Sequence, residues 1–262
     1  MIYAIIVVYN KECKDSISLQ SLYRWKNDIK LVVFDNSTKP NGNAEYCEKE
    51  KIYYLTKGDN IGLSRAYNHV LDSLKLNDND YVIILDDDTE LNDNYVKELQ
   101  TCTDGTKEVI LPIVYNGTSI ISPANIKYKC SSRMVKSVEE LDRDNMSAIN
   151  SGMLIKASVF NKIRYNEQLF LDCVDHEFMR MVRKEKLNIH IMDSFINQNF
   201  SRNEKPKLES ALHRFRLYRK DFRKFCQLNS ALPFYYMSIG KFVLSYSIKY
   251  RTTKFLKILM EI

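Results

Sequence analysis

The stretch Tyr81-Val82-Ile83-Ile84-Leu85-Asp86-Asp87-Asp88-Thr89 decides the fold. Its unbroken apolar run reads as a strand buried on both faces, and the carboxylates that follow at once set acidic groups at the strand's carboxyl end. Similar runs recur at residues 2–8, 31–34, 52–55 and 109–114. Between them lie segments at helical spacing, one marked by Ile17, Leu22 and Trp25, a clearer one by Leu63, Ala66, Tyr67, Val70, Leu71 and Leu74. Strand alternating with helix predicts an α/β fold, a doubly wound, mostly parallel sheet flanked by helices over residues 1–115. Ligands of such sheets bind outside the carboxyl ends of the strands. Polar residues stand at each of those ends: Tyr9 and Asn10, then Asp35, Asn36 and Ser37, then the triple aspartate.

Residues 115–145 carry little periodicity and read as loops and short strands. Regular structure returns at 148–156, at a helix over 174–184 and at a short run over 189–192. The remainder reads as a helical extension, in which Leu208, Ala211, Leu212, Phe215, Tyr218, Phe222 and Phe225 form an apolar stripe opposite basic residues. Residues 202–262 hold 14 Lys/Arg against 4 Asp/Glu, whereas residues 1–201 hold 25 against 29. A basic tail on a mildly acidic body suggests an anionic partner, a membrane surface or nucleic acid.

Composition excludes several classes. With 45% hydrophobic and 27% charged residues, the 262-residue chain is globular rather than disordered or fibrous. Six cysteines without a C-x-x-C pair suggest reduced thiols and a cytoplasmic setting rather than a zinc or disulfide framework. The N-terminal residues lack the features of a signal peptide, and the longest uncharged stretch, 225–240, is too polar for a membrane span. Neither G-x-G-x-x-G nor G-x-x-x-x-G-K-[ST] occurs, so a phosphate must be held another way. A magnesium or manganese ion on Asp86-Asp87-Asp88 would do so, although acidic clusters also begin ordinary surface loops.

Four ordered motifs carry a resemblance: Ile5-Ile6-Val7-Val8-Tyr9-Asn10, Val33-Phe34-Asp35-Asn36-Ser37, Asn60-Ile61-Gly62-Leu63-Ser64-Arg65-Ala66-Tyr67-Asn68 and Leu85-Asp86-Asp87-Asp88-Thr89. Together they resemble family 2 glycosyltransferases of the GT-A fold, a Rossmann-like architecture, and most of all rhamnosyltransferase-like and galactofuranosyltransferase-like bacterial members. Ile149-Asn150-Ser151-Gly152-Met153-Leu154-Ile155 resembles the family's strand before the acceptor site, and residues 166–178 its acidic catalytic segment. The resemblance implies a catalytic domain over 1–200, with a nucleotide-sugar half (1–115) and an acceptor half (116–200), followed by a basic helical tail over 201–262.

It also implies roles. Asp35 would accept from the N3–H of a uracil or thymine, with Tyr9 packed beside that ring. Asp86 would face the ribose with Asp87 beside it, and Asp88 would hold the metal on the donor's diphosphate. Asn60, Arg65 and Asn68 lie where the family closes the donor site; a helix cap equally explains Asn60 and Gly62, and a solvated face explains Arg65. Ser151, Gly152, Asp172 and Glu177 fall on the acceptor side, Glu177 with a structural alternative. An acceptor hydroxyl needs a carboxylate to take its proton as it attacks, and Asp175 is the matched base; an N-terminal helix charge is the alternative.

Many relatives carry a His after the base that completes the metal shell. Here that stretch offers His190, Gln198 or Asn199. In the tail, Tyr218, Phe222 and Phe225 are expected in the core. Tyr235, Tyr236, Phe242, Tyr246 and Phe255, interleaved with lysines and Arg251, fit an interfacial helix on anionic lipid, with a solvated face or an oligomer contact as alternatives. The expectation is an inverting, metal-assisted transfer of a sugar from a UDP- or dTDP-linked donor to a lipid-linked surface glycan on the inner membrane face. A non-catalytic nucleotide-sugar or carbohydrate-binding module and a nucleic-acid-binding protein are the competing classes.

Overall fold

The computed structural model describes residues 1–198 and 206–261. Strand and helix alternate through β1 (Ile2–Val8), α1 (Ile17–Tyr23), β2 (Ile29–Asp35), α2 (Asn43–Glu50), β3 (Tyr53–Thr56), α3 (Leu63–Ser73), β4 (Tyr81–Asp86), α4 (Asp93–Cys102) and β5 (Val109–Asn116). There follow β6 (Ser119–Ser122), β7 (Ala124–Lys127), β8 (Ser131–Arg133), β9 (Met146–Ser147), β10 (Met153–Lys156), α5 (Val174–Lys184) and β11 (Ile189–Asn197). Three helices end the description: α6 (Leu208–Leu228), α7 (Leu232–Tyr250) and α8 (Lys254–Met260).

The main sheet has the order β11-β5-β10-β4-β1-β2-β3, with β6 on β5. At its centre β1 lies parallel to both β2 and β4, which puts Ile6 beside Val33 and Leu85. Alternate residues of β1 enter opposite cores. Ile5 and Val7 join Val70, Leu71 and Phe178, while Ala4, Ile6 and Val8 join Leu19, Leu22 and Leu99. Both faces are therefore covered, which is why these strands read as continuous apolar runs. Two helices that periodicity did not single out, α2 and α4, complete the second layer through Cys47 and through Tyr95, Val96 and Leu99.

Two expectations change. The stretch expected to be regular over 148–156 is strand only at β10, which runs antiparallel to β4 and β5. Before it the chain turns at Gly152, whose φ of +78° and close approach to Ile196, 2.5 Å from where a Cβ would sit, suit glycine alone. In the tail, Tyr235 and Phe255 are not interfacial but buried, at 4% and 0% exposure. Phe255 packs on Phe215 and Tyr246 with ring centroids 5.7 and 5.3 Å apart. Burying such rings removes large apolar areas from water, so α6, α7 and α8 pack on one another and share one continuous cluster with Phe178 and Val182 of α5. Tyr236, Phe242, Leu244 and Ile248 stay exposed. No helix among the described residues is long and apolar enough to cross a membrane.

Candidate functional site

The turn that carries Asp86, Asp87 and Asp88 is braced from beneath by α1. Ser16 caps that helix by accepting from the Leu19 N–H, and its Oγ donates to the Asp87 carbonyl at 3.0 Å. Ser18 Oγ accepts from the Thr89 N–H at 3.0 Å and lies in donor reach of the Asp86 and Thr89 carbonyls. With its backbone so held, the turn cannot swing its carboxylates apart, and they remain crowded. Loss of solvent, then the charges of Asp88, Asp175 and Asp87, push the Asp86 carboxyl up to about 7. Asp88 is raised by desolvation and by Asp87, against the opposing pull of Lys11. Asp87 is relieved by an ion pair with Lys11 at 2.9 Å.

These groups open on one cavity of about 960 Å³, which runs from Tyr9 and Asn60 past the aspartates to Asp172, Asp175 and the helices α6 and α7. Asp175 lies in the first turn of α5, where its Oδ1 accepts from the His176 N–H at 2.7 Å. The helix start explains that one oxygen. It does not explain a carboxylate that opens onto the same hollow as Asp88.

The other expected residues take several positions. Asn60 Oδ1 accepts from Asn36 Nδ2 at 2.9 Å and from the Gly62 N–H at 3.1 Å, so it braces the end of β2 against α3 while still lining the cavity. Asp35 is buried and already accepts from Ser37 N–H, Asn43 Nδ2 and the Tyr54 hydroxyl at 2.9–3.1 Å. Asn68 ties α3 to the second half of the chain by donating to the Tyr165 carbonyl at 2.9 Å and accepting from its N–H at 3.1 Å. Arg65 stands outside the cavity, exposed, 3.9 Å from Glu167. Ser151 is buried under the aspartates, its Oγ donating to Gln198 Oε1 at 3.0 Å, and Gly152 accepts from the Tyr95 hydroxyl at 2.7 Å. Glu177 is fully buried in a two-bond pair with Arg180 at 2.7–2.8 Å, which is a structural role.

Residues that sequence reasoning missed also line the hollow. His176 follows Asp175 directly and holds its Nδ1 2.8 Å from Ser147 Oγ. His213, Arg214, Tyr218 and Phe222 bring the α6 face into the wall, with the Tyr218 and Phe222 rings stacked at 5.3 Å. The adjacency of His176 to the candidate base was a usable signal. The α6 residues gave none, because an apolar stripe with polar neighbours is what any packed surface helix shows.

The aspartate turn suits a divalent cation. Among the described residues Asp88 Oδ1 is buried without a hydrogen-bond partner, beside carboxylates whose mutual repulsion a hard cation would relieve. Gln198 lines the cavity beside them, its carbonyl oxygen committed to Ser151. Asn199 lies outside the described residues. His190 sits at the amino-terminal end of β11, at the opposite edge of the sheet, near Glu98 and Cys102. Both Glu98 oxygens there accept backbone N–H groups, from Asp193 at 2.9 Å and Ser194 at 2.7 Å.

Comparison with known proteins agrees with this geometry. The family model "Glycosyl transferase family 2" matches residues 3–191. A "Low-salt glycan biosynthesis hexosyltransferase Agl10" of Haloferax volcanii is 29% identical over 213 residues, covering 74% of this chain and 67% of that protein. A "dTDP-rhamnosyl transferase RfbF" of Shigella flexneri is 25% identical over 196 residues, 73% of this chain and 66% of that one. The matches thus span about two thirds of the length of these curated relatives. Among solved structures, that of GalNAc-T7 with UDP, GalNAc and Mn2+ superposes with a TM-score of 0.60 at 13% identity, over 95% of this chain and 57% of that one. At that identity the likeness speaks for a shared GT-A fold.

Proposed function

The chain belongs to glycosyl transferase family 2 and is a glycosyltransferase, and from that premise we propose that it moves a sugar from a uridine- or thymidine-diphosphate donor to a hydroxyl of a growing glycan, with inversion. Membership weighs against a binding module without turnover. The observation that carries the finer reading is the common cavity of Asp88 and Asp175. It brings a carboxylate turn fit for a diphosphate-bound cation within one hollow of a separate carboxylate able to act as a base.

In this reading Tyr9, Asn60, Asp86 and Asp87 flank the donor, Lys11 neutralises part of the local charge, and Asp35 and Asn68 hold the walls in place. Asp88 holds magnesium or manganese, which when bound offsets the charge developing on the leaving diphosphate. Asp175 takes the proton of the acceptor hydroxyl as its oxygen bonds to the anomeric carbon, and the carbon–oxygen bond to the nucleoside diphosphate breaks on the opposite face. Residues 1–115 serve the donor and 116–200 the acceptor, and the helices α6, α7 and α8 form an extension. The names of the relatives support a glycan acceptor, and dTDP-rhamnose is the first donor to try.

Release of nucleoside diphosphate from dTDP-rhamnose and from UDP-hexoses, with manganese, tests the assignment. Asp175→Asn should keep UDP or dTDP affinity within about twofold while turnover falls by about 10²–10⁴-fold. Undiminished turnover would remove Asp175 as the base.

A further inference from the structure

The loop that precedes the base is held by a helix beyond the stretch the family model matches. Asp221, on α6, is 1% exposed. Its Oδ1 accepts from the Phe170 N–H at 3.0 Å, and its Oδ2 accepts from the N–H groups of Leu171 and Asp172 at 2.7 and 2.9 Å. Two turns earlier on the same helix, Arg214 makes a two-bond ion pair with Asp172. Directly after these anchored residues, Cys173 adopts a left-handed conformation at φ +62° and leads into Val174 and Asp175.

Each feature has a plain physical consequence. A buried carboxylate is stable only when its oxygens are satisfied, and here all three donors come from consecutive amides of one loop. A non-glycine residue at positive φ persists only where its surroundings over-determine it. The loop is pinned from its other side too, since the Leu63 N–H donates to the Phe170 carbonyl at 2.6 Å and Ser64 Oγ to the Leu169 carbonyl. Asp221 and Arg214 fix from above what α3 fixes from below.

We propose that Asp221, supported by Arg214, is a positioning residue for sugar transfer: it locks residues 170–172 so that the left-handed Cys173 aims Asp175 into the cavity. The inference deepens the assignment of Asp175 as base and rests on it. It also gives the basic tail a task inside the catalytic unit, through its one acidic residue on the α6 face that meets the loop.

The test uses the full chain, with Asp221→Asn as the near-isosteric variant and Arg214→Gln as a second one on the half-exposed partner. Hydrogen exchange needs no substrate. Amides 170–172 should exchange at least about tenfold faster in Asp221→Asn, with α6 and β1 amides unchanged. Turnover should fall by about a hundredfold, the scale of an ångström-sized misplacement, at a UDP–manganese affinity within about twofold of the parent. Arg214→Gln should show both effects more weakly. Unaltered exchange would remove the clamp. Faster exchange at unaltered kcat would reduce it to a structural tie. Should Asp221→Asn fail to fold, the Arg214→Gln exchange and kcat decide in its place. If Asp175→Asn retains turnover while the Asp221 and Arg214 variants lose it, the base assignment fails and the clamp stands on some other group of the loop.

Discussion

Asp88, just beyond the carboxyl end of β4, and Asp175, in the first turn of α5, open onto the same cavity although the chain between them makes three of the main sheet's eight strands. Asp86 lines the same cavity, and burial first, then the charges of Asp88, Asp175 and Asp87, drive its carboxyl up to about 7.

Crowded like charges destabilise a site until a cation joins them. Asp88→Asn should therefore raise the metal-free melting temperature or leave it unchanged, and should abolish the extra stabilisation that manganese with UDP gives the parent. At a hundred times the dissociation constant that stabilisation is about 2.7 kcal/mol. Equal thermal shifts in parent and variant would remove Asp88 from the metal site.

Gly62 stands where a Cβ would lie 2.7 Å from both the ring and the carbonyl oxygen of Phe170, at φ +84°. Gly62→Ala has to distort the junction of α3 with the base-bearing loop. A loss of about 2–4 kcal/mol in urea unfolding is expected, from backbone strain and overpacking together. Turnover should fall with it, and a variant as stable and active as the parent would show that the two segments need not touch.

Glu98 gives a pH dependence away from the site. Burial alone would raise its carboxyl, but hydrogen bonds from Ser194 and Asp193, with His190 nearby, outweigh it and hold the group below the ordinary value. A depressed carboxyl stabilises the fold above its unfolded pKa, and that share is lost as pH falls through the folded one. Glu98→Gln should cost about 1–2 kcal/mol at pH 7, and the gap should close below about pH 4. A gap constant from pH 7 to pH 3 would contradict this.

Met237, Leu244 and Ile248 remain exposed along one face of α7, in a tail of 14 basic and 4 acidic residues. If that face lies on anionic lipid, changing all three to Ser should weaken sedimentation with phosphatidylglycerol vesicles at least about tenfold, given roughly 1.5–3 kcal/mol per large apolar side chain buried. The melting temperature should hardly move. Unchanged vesicle binding would assign these residues no lipid contact.

The sequence by itself determined the sheet's central strands, the helices α1 and α3, the acidic edge and the boundaries of α5. Those features follow from short periods and from apolar runs that local chain geometry turns into buried strands. Tertiary structure alone decided which carboxylates are spent and which are open. Glu177 is closed off by Arg180, Asp35 by Asn43 and Tyr54, and Asp221, inside a helix that reads as basic, proves to be buried under a loop fifty residues earlier. The partners of a side chain are set by backbone groups far along the chain. Spacing in the sequence carries no record of which amides will meet which oxygens, and only the folded packing of α6 against residues 170–172 supplies it.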